Sequence, residues 1–551
     1  MGAFAGIETA VGVVTNSMEF QRIKALPRRV LDLDSVQDVT PIVAKPGGSM
    51  SVWPIQSAAL IEAAVANGLF GSIGVGFGKT LITLLMPLAL DSKKTVLLVP
   101  PRLKTKTLRE IDQIYSKHFE LPLDRLVVVS YHDLSSAKHA DVLEREQPDA
   151  IVADEGHSLA RKQSARTKRF LYYMREHPEC RFVILSGTVS RRHVADYSHL
   201  IELALRKNSP LPRGYREVKD WGGVLDVDPE YEMRPGVLTQ FCEPGETPRD
   251  GFRRRLVETP GVVATSDNEI GVSLNVRKIR PAVPDKIKAL MTETKRTWSI
   301  GGEDFDSAVT LSRTLKQLSC GFYYRWKWPE GVPDQQWLDA RSEWNRFVRE
   351  TLKRSKPGLD APLLVYRAAK ADKIDAPPFA AWYAVKDRPV PPTETVWIDE
   401  YLVEAALVWA RQKQAEKRPA IIWYEHKGLG LRIAERSIDQ GDRFPHFGAG
   451  TDADESTAPV IICSVKAQGE GKNLQHYRSN LMTTLPVSGK TFEQVAGRTH
   501  RNGQQADEVE ADWFAPTWEL EKAMASLLED AEYLQQTLGQ RQKILYATRI
   551  E

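Results

Sequence analysis

The sequence predicts an α/β protein with two units, each built on a mainly parallel sheet. Short apolar runs bounded by polar or turn residues are typical of buried parallel strands. These runs lie at 70–75, 95–99, 126–129, 150–153 and 182–185 and, much later, at 420–424, 460–464 and 480–484. Amphipathic segments at 56–67 and 81–90 predict helices between the strands. Two separate strand–helix series indicate two α/β units.

Composition narrows the class of protein. At about 150 residues per domain, a chain of 551 residues predicts three or four folding units. Hydrophobic residues make up 42% and charged residues 27%, which excludes wholesale disorder and a fibrous repeat. The net charge of +3 means that any nucleic-acid surface must be a local cluster. The four cysteines form no CxxC pair, so neither a disulfide framework nor a zinc site is predicted.

No targeting or membrane segment is expected. The first residues lack a basic start followed by an apolar stretch, and no run of about 18 apolar residues occurs. We therefore expect a cytoplasmic protein.

The region between the two strand series has a different composition. It is rich in aromatic and basic residues, and its five nearby tryptophans are Trp298, Trp326, Trp328, Trp337 and Trp344. Such an aromatic stripe more often forms helical core than a base-stacking platform. The predicted organisation is a weakly structured lead-in at 1–50, a first α/β domain at 51–275 with an irregular insertion at about 209–260, a mainly helical insertion at 276–395, and a second α/β domain at 396–551 that ends in a helix.

The first chemical motif is GVGFGKT at 74–80, after an apolar strand and before an apolar helix. Glycines such as Gly76 and Gly78 let main-chain N–H groups turn onto phosphate oxygens, Lys79 adds a positive charge, and the Thr80 hydroxyl can bind Mg²⁺. Ile73 stands where the strict pattern has glycine, so a flexible glycine turn with an incidental lysine is the alternative.

The second motif is DEGH at 154–157, directly after the apolar run 150–153. A carboxylate at the end of a strand is suited to hold hydrated Mg²⁺, and the next carboxylate can polarise the attacking water. Asp154 and Glu155 fit these two roles. Solvated acidic residues that simply follow a strand are the alternative, and the order after a phosphate loop favours the catalytic interpretation.

With Ser186-Gly187-Thr188 further on, these motifs resemble the core of the superfamily 2 helicases. The resemblance implies that His157 and the SGT segment link ATP hydrolysis to motion between domains. It also implies that WPIQ at 53–56 reads adenine through Gln56, whose amide offers both a donor and an acceptor. A surface glutamine that opens a helix would look the same.

A third motif, QVAGRTHRNGQ at 494–504, matches the family pattern QxxGRxHRxGQ at every specified position. The resemblance implies nucleotide contact by Gln494. Arg498 and Arg501, three apart on one predicted helical face, are the candidates to reach the γ-phosphate from an interdomain cleft. A salt-bridged basic helix end is the alternative.

The preceding segment, SVKAQGEGKNLQ at 464–475, is similar to the family's glycine-rich segment that ends in Asn-Leu. The resemblance implies nucleotide contact at Gly471 and contact with the nucleic-acid backbone at Lys466 and Asn473. Together with the His-Arg-x-Gly-Gln ending, it points to the SWI/SNF-like branch, possessing two tandem RecA-like P-loop domains. The compact size resembles viral or phage members. Gly156 departs from the family, which usually has alanine there.

Polar residues after two strands of the first series match family segments that contact phosphates. They are Arg102, Lys104, Ser130 and Tyr131. Hydroxyls, main-chain N–H groups and cations suit contact that is independent of sequence. A solvated charge cluster is the alternative for Lys104.

The resemblance therefore implies an ATP- and Mg²⁺-dependent DNA translocase or helicase, monomeric, acting on duplex or forked DNA, with protein partners supplying specificity. In a phage-encoded case the compartment would be the host cytoplasm. RNA stays open as the track. Two other functions also stay open, an ATP-gated binding or scaffold module and the motor subunit of a nuclease or restriction assembly.

Overall fold

The computed structural model describes residues 11–187, 192–265, 271–301, 303–305, 307–354, 359–454, 456–501 and 503–550. They form two compact units. The first unit contains the described chain up to residue 265 and the later segment Glu529–Gln542. The second contains the described residues from 271 to Leu528 and those from Lys543 onward. The predicted α/β class with parallel sheets is confirmed.

The first unit holds eight of the strands and most of the early helices. Its strands are β1 Gly12–Val13, β2 Leu69–Ser72, β3 Thr95–Val99, β4 Leu126–Ser130, β5 Ala150–Asp154, β6 Arg181–Leu185, β7 Met233–Arg234 and β8 Val262–Ala264. Its helices are α1 Met18–Lys24, α2 Thr40–Val43, α3 Pro54–Ala66, α4 Lys79–Ala89, α5 Pro101–Gln113, α6 Tyr131–Ser135, α7 Val142–Glu146, α8 Ala165–Glu176, α9 Ser198–Leu205, α10 Tyr215–Leu225 and α11 Pro248–Val257.

Six of these strands form one parallel sheet in the order β4-β3-β5-β6-β2-β8. The register aligns Asp154 with Leu185 and Leu185 with Gly71. The carboxyl ends of β5, β6 and β2 are therefore neighbours along the edge of the sheet that is formed by the carboxyl ends of its strands. This is the edge at which open α/β sheets bind ligands.

Two predictions for the first unit are corrected. The lead-in is not weakly structured within the described residues, because α1 packs Phe20 and Ile23 into the core of the unit. The segment 209–260 is not wholly irregular, since α10 and α11 bury Trp221 and Phe252 in the same core. The sequence signal in both regions was obscured by proline, glycine and charged residues around short apolar faces.

The second unit contains the remaining strands. They are β9 Ser273–Ile279, β10 Ser299–Ile300, β11 Glu303–Asp304, β12 Phe322–Trp326, β13 Thr393–Trp397, β14 Ala420–Tyr424, β15 His446–Phe447, β16 Val460–Ser464, β17 Ser479–Met482, β18 Glu508–Phe514 and β19 Thr548–Ile550. Seven of them form a parallel sheet in the order β15-β16-β14-β17-β18-β9-β19.

The second unit also contains helices. They are α12 Asp285–Thr297, α13 Ala308–Leu318, α14 Gln335–Lys353, α15 Pro362–Lys370, α16 Phe379–Val385, α17 Tyr401–Ala415, α18 Lys427–Asp439, α19 Val465–Gln468, α20 Gly489–Ala496, α21 Trp518–Glu521 and α23 Lys543–Tyr546. A further helix, α22 Ala523–Leu538, begins in the second unit and ends in the first.

Two long strands of the second sheet, β9 and β18, were not predicted. Both carry charged residues within the strand, so neither reads as an apolar run. The charges are paired across the sheet, where Arg277 lies opposite Asp512 and their side chains are 2.6 Å apart. Pairing keeps Asp512 buried without an uncompensated charge.

The region predicted as a mainly helical insertion contains α12 to α16, but β10 to β13 also lie within it. Strands β12 and β13 form an antiparallel pair. The rings of Trp326 and Trp328 stack at 5.5 Å, and Trp337 meets both edge-on. Trp337 and Trp344 are buried, so these tryptophans serve largely as a local core.

None of the helices among the described residues is long and apolar enough to cross a membrane.

Candidate functional site

The glycine-rich loop 74–80 connects β2 to α4, as predicted. Gly76 and Gly78 have φ of +98° and +65°, values that favour glycine. No side chain caps α4, so the loop and the first turn of this helix offer main-chain N–H groups. A Cβ at Gly76 would meet no atom within 4 Å. The loop therefore has the open backbone and helix N-terminus that suit an anion.

The Lys79 amine lies over the start of this loop. It donates hydrogen bonds to the carbonyl oxygens of Ile73 at 3.1 Å and Gly74 at 2.8 Å. Both are neutral acceptors, so the charge of Lys79 is not neutralised by these contacts. The same charge lowers the pKa of Asp154, which shows that the two residues interact electrostatically.

Gln56 contacts the loop rather than lying on the surface. Its Nε2 donates to the carbonyl oxygens of Phe77 and Gly78, both at 3.2 Å, and its Oε1 accepts from the Trp53 N–H at 2.8 Å. Its side chain is buried. The predicted surface-glutamine alternative is therefore wrong. Contact with adenine stays a prediction, and the observed role of Gln56 is to support the phosphate loop.

Asp154 and Glu155 end β5, beside β6 and near β2 in the sheet. Burial and the neighbouring Glu155 carboxylate raise the pKa of Asp154 to about 7, and Lys79 acts in the opposite direction. The Asp154 Oδ1 accepts from the Glu155 N–H at 3.0 Å. Glu155 has a left-handed backbone with φ of +51°, which is unusual for a residue with a side chain and is common at functional sites.

Tyr131 belongs to the interior of the first unit. It is 1% exposed, and its hydroxyl donates to the Asp154 carbonyl oxygen at 2.8 Å. Burial, Asp154 and Glu155 raise the pKa of Tyr131 well above its ordinary value, so the hydroxyl stays a donor. The predicted contact of this side chain with nucleic acid is corrected, because it is not accessible. Its role is to fix the strand end that carries Asp154.

His157 connects the DEGH motif to the SGT segment. Its Nδ1 lies 2.9 Å from the Ser186 hydroxyl and 3.2 Å from a Glu155 carboxylate oxygen. Gly187 lies against the phosphate loop, since a Cβ there would be 3.1 Å from the Ile73 carbonyl oxygen. Thr188, the third predicted coupling residue of this segment, lies outside the described residues. Three predicted motifs are thus brought together in one unit.

The presence of glycine at position 156 has a steric explanation in this chain. A Cβ at this position would lie 2.3 Å from Cγ1 and 2.7 Å from Cδ1 of Ile184 in the neighbouring strand β6. Ile184 is fully buried, so it has little room to move. The alanine that is usual in the resembled family would therefore clash here.

In the second unit, α20 ends at Ala496, so Arg498 and Arg501 follow the helix in turns. The prediction that both arginines share one helical face is corrected. Arg498 is buried, and it donates to the carbonyl oxygens of Gln494 at 2.8 Å and Lys472 at 3.0 Å. Arg501 is half-buried. Arg498 thus ties the glycine-rich segment to the QxxGR segment.

Other residues of these two segments stabilise the same connection. The Leu474 N–H donates to the Arg498 carbonyl oxygen at 3.2 Å. Gln504 donates from Nε2 to the carbonyl oxygens of Tyr477 and Thr499, both at 3.0 Å. Gln494 is buried, and Gly471 has φ of +73°. The two predicted segments therefore form one structural element in the second unit.

Only some of the residues predicted to contact nucleic acid are exposed. Arg102, Lys466 and Asn473 are exposed, as such a role requires. The Lys104 amine is 2.9 Å from an Asp133 carboxylate oxygen, and Ser130 is buried and caps α6 through its hydroxyl. The Ser130 side chain is thus used inside the unit, which corrects its predicted phosphate contact.

Burial raises the pKa of Asp133, but hydrogen bonds from Lys104 and Ser130 lower it to about 2 overall. Lys104 therefore faces an ionised carboxylate across the whole physiological pH range. Any phosphate contact by this amine must compete with that ion pair.

The residues of the first unit are chemically suited to bind a nucleotide together with Mg²⁺. The loop 74–80 offers an open backbone that glycine permits, and Lys79 supplies a cation directed at its carbonyl oxygens. Thr80 and Asp154 would hold Mg²⁺ together with phosphate oxygens. Among the described residues no group of three or more His, Cys, Asp or Glu could hold a metal by itself, so the phosphates would have to complete the set.

One residue at the loop was missed by the sequence argument. The Thr265 hydroxyl oxygen accepts from the Gly74 N–H at 3.1 Å. A threonine after a short strand carries no distinctive pattern, so only the pairing of β8 with β2 reveals it.

No protein-family model matches the chain. The search of curated proteins likewise returns no match.

Proposed function

We propose that the protein is a nucleic-acid-stimulated ATPase that translocates along DNA, with two RecA-like units of the kind found in SWI/SNF-like superfamily 2 proteins. The observation that carries this proposal is the meeting of three motifs at adjacent strand ends. The phosphate loop follows β2, SGT follows β6 and DEGH follows β5, and these strands are neighbours in the order β5-β6-β2. Chance sequence matches would not be expected to converge at one edge of a sheet.

The residues of this edge have complementary tasks. We propose that the loop N–H groups and Lys79 bind the phosphates, while Thr80 and Asp154 bind Mg²⁺. A bound Mg²⁺ would neutralise phosphate charge and activate the phosphoryl group for attack. Glu155 would then orient and deprotonate the attacking water, a role for which carboxylates are suited.

Asp154 is expected to bind Mg²⁺ only in its ionised form. Its pKa of about 7 reflects burial beside Glu155, and a nearby cation favours the carboxylate. The Tyr131 hydroxyl and the Glu155 N–H would hold the carboxylate and its strand end in place.

For the second unit, we propose that Arg498 and Arg501 stabilise charge that develops on the transferred phosphoryl group. An arginine in this role is worth on the order of 10³ to 10⁵ in rate in nucleotide hydrolases. Arg498 is buried whereas Arg501 is half-buried, so Arg501 is the better candidate for direct contact.

DNA is the proposed polymer, duplex or forked, on the resemblance and on the exposed residues Arg102, Lys466 and Asn473. Contacts of this type are independent of sequence and depend on salt.

The test is steady-state ATP hydrolysis by the wild type and by Glu155→Gln, each without nucleic acid and with single-stranded DNA, duplex DNA, forked DNA or RNA. We expect strong stimulation by duplex or forked DNA that is lost in E155Q. Stimulation by RNA alone would replace DNA with RNA as the track. A wild type that binds ATP but stays at background with every polymer would favour the gated binding module or a missing partner.

A further inference from the structure

The chain leaves the first unit twice, and both exits lie beside the nucleotide motifs. The first exit follows β8, which pairs with β2 so that Ser72 aligns with Ala264. Thr265 comes next, and its N–H donates to the Ser72 carbonyl oxygen at 3.1 Å. Its hydroxyl oxygen accepts from the Gly74 N–H at 3.1 Å. The opening residue of the phosphate loop is therefore held by the segment that leads out of the unit.

The second exit is the end of the segment Glu529–Gln542. Gln540 is 3% exposed, and its Nε2 lies 3.4 Å from the position that a Cβ on Gly187 would take. The same position is 3.4 Å from the Gly74 Cα. The Gln540 amide and the start of the phosphate loop thus both lie close to Gly187.

The Gln540 Oε1 atom is buried and has no hydrogen-bond partner in the described part of the chain. A buried acceptor without a hydrogen-bond partner destabilises the folded state. Such groups are rare unless they bind a ligand or are satisfied in a second conformation. A donor brought by a ligand or its hydration shell would satisfy this oxygen. Neither Gln540 nor Thr265 belongs to any of the sequence motifs.

The segment that carries Gln540 is firmly attached to the first unit. Leu534 and Leu538, in the second half of α22, lie in its main core. Asp530 accepts a hydrogen bond from Arg192 at 2.8 Å. The segment therefore contacts the chain after β6 at Gly187 and again at Arg192, and a shift of that chain should be passed to it.

We infer that Thr265 and Gln540 are positioning residues for the phosphate loop and the SGT segment, through which nucleotide binding acts on both chain exits. This inference rests on the proposed function. Thr265 holds Gly74 through a hydrogen bond, and the Gln540 amide lies close to Gly187. Movement of either glycine on nucleotide binding then displaces a residue next to a covalent connection to the second unit.

The test uses the full chain and MgADP as the probe. Thr265→Val keeps the shape but removes the acceptor, Thr265→Ser keeps the hydroxyl, and Gln540→Leu removes the amide. Gln536→Ala is the matched control, because Gln536 lies in the same segment, Glu529–Gln542, and accepts from Arg249 at 3.1 Å. Loss of the Thr265–Gly74 hydrogen bond in T265V, and of the amide beside Gly187 in Q540L, is expected to weaken MgADP binding about three- to tenfold. T265S and Q536A should bind as the wild type does.

The second readout is hydrogen exchange with and without saturating MgADP. In the wild type we expect MgADP to change exchange in peptides that cover 271–280 and 543–550. The response should be absent in the double variant T265V/Q540L even when its site is saturated. A role limited to stability would lower the melting temperature and leave this response intact.

The outcomes separate the inference from the proposed function. If Lys79→Ala abolishes MgADP binding while T265V and Q540L bind and respond like the wild type, the inference is wrong and the nucleotide site stands. If the wild type itself does not bind MgADP, both are wrong. If T265V does not fold, MgADP binding by Q540L and the hydrogen-exchange response of the wild type test the inference instead.

Discussion

The imidazole Nδ1 of His157 lies 2.9 Å from the hydroxyl oxygen of Ser186. This contact joins the residues that follow β5 to those that follow β6, next to Glu155. It is the one direct side-chain hydrogen bond between the DEGH and SGT segments that the described residues show. A shift of the Glu155 carboxylate can therefore reach the SGT segment through a single imidazole.

Ser186→Ala tests this connection. We expect the variant to keep most of its basal ATPase but to lose most of the stimulation by DNA, because the hydroxyl that bonds His157 is removed while Glu155 remains. The measurement is the ratio of stimulated to basal rate. Ser135→Ala is the control, since the Ser135 hydroxyl likewise makes a hydrogen bond in the same unit, which it donates to the Tyr131 carbonyl oxygen at 2.7 Å. Equal ratios in the two variants would count against the connection.

Gly156→Ala should destabilise the first unit. The added methyl group would lie 2.3 Å from Ile184 Cγ1, and overpacking of this kind typically costs about 1 to 3 kcal/mol. Ile184→Ala removes the clashing carbons, although it leaves a cavity. We expect the double variant to be more stable than the sum of the two single effects predicts. Urea denaturation of all four proteins measures this coupling, and strict additivity would contradict the steric account.

The conservative substitution Arg498→Lys should not preserve the function of Arg498. A lysine keeps the charge, but its single nitrogen cannot reproduce the fixed fork that bonds the carbonyl oxygens of Gln494 and Lys472. One buried carbonyl left without a partner costs about 1 to 3 kcal/mol. We expect reduced stability of the second unit together with reduced kcat. Wild-type values of both quantities for R498K would show that only the charge matters.

The stability of the second unit should depend on pH through His500. Burial, and secondarily the charge of Lys543, lower the pKa of His500 to about 4, while its Nε2 lies 2.8 Å from the Val272 carbonyl oxygen. The folded state therefore favours neutral His500. Its contribution to stability is complete above pH 6.5, the ordinary value, and is lost as the pH falls towards 4.

Relative to His500→Gln, we expect the wild type to lose up to about 3 kcal/mol between pH 7 and pH 4. Tryptophan fluorescence during urea denaturation reports mainly on this unit, because only Trp53 and Trp221 of the 13 tryptophans lie in the first. His132→Gln, at an exposed position in the first unit, is the control. A pH profile that is the same for wild type and H500Q would refute the burial argument.

The sequence identified strands wherever apolar residues ran without interruption. Strands β3 and β14 match the predicted bounds in full, because burial on both faces leaves no polar position to obscure the run. Strands β9 and β18 escaped notice because Arg277 and Asp512 interrupt them, and only their pairing across the sheet makes a charged strand stable.

The candidate site shows the same division. Spacing and residue type predicted Lys79 at the start of α4 and Asp154 and Glu155 at the end of β5, where the structure places them. The spacing of residues in the sequence does not predict whether a side chain is buried. The sequence therefore predicts contact with nucleic acid for Tyr131, which is buried and bonds the Asp154 carbonyl oxygen. Thr265 belongs to no motif, because its position follows from strand order alone.

The most direct test of the central claim is a comparison of ATP binding and ATP hydrolysis in the wild type, Lys79→Ala and Glu155→Gln, with duplex DNA present. The account predicts that K79A binds ATP poorly, whereas E155Q binds it as the wild type does and hydrolyses it at least about 100-fold more slowly. Hydrolysis by E155Q at the rate of the wild type would contradict the account.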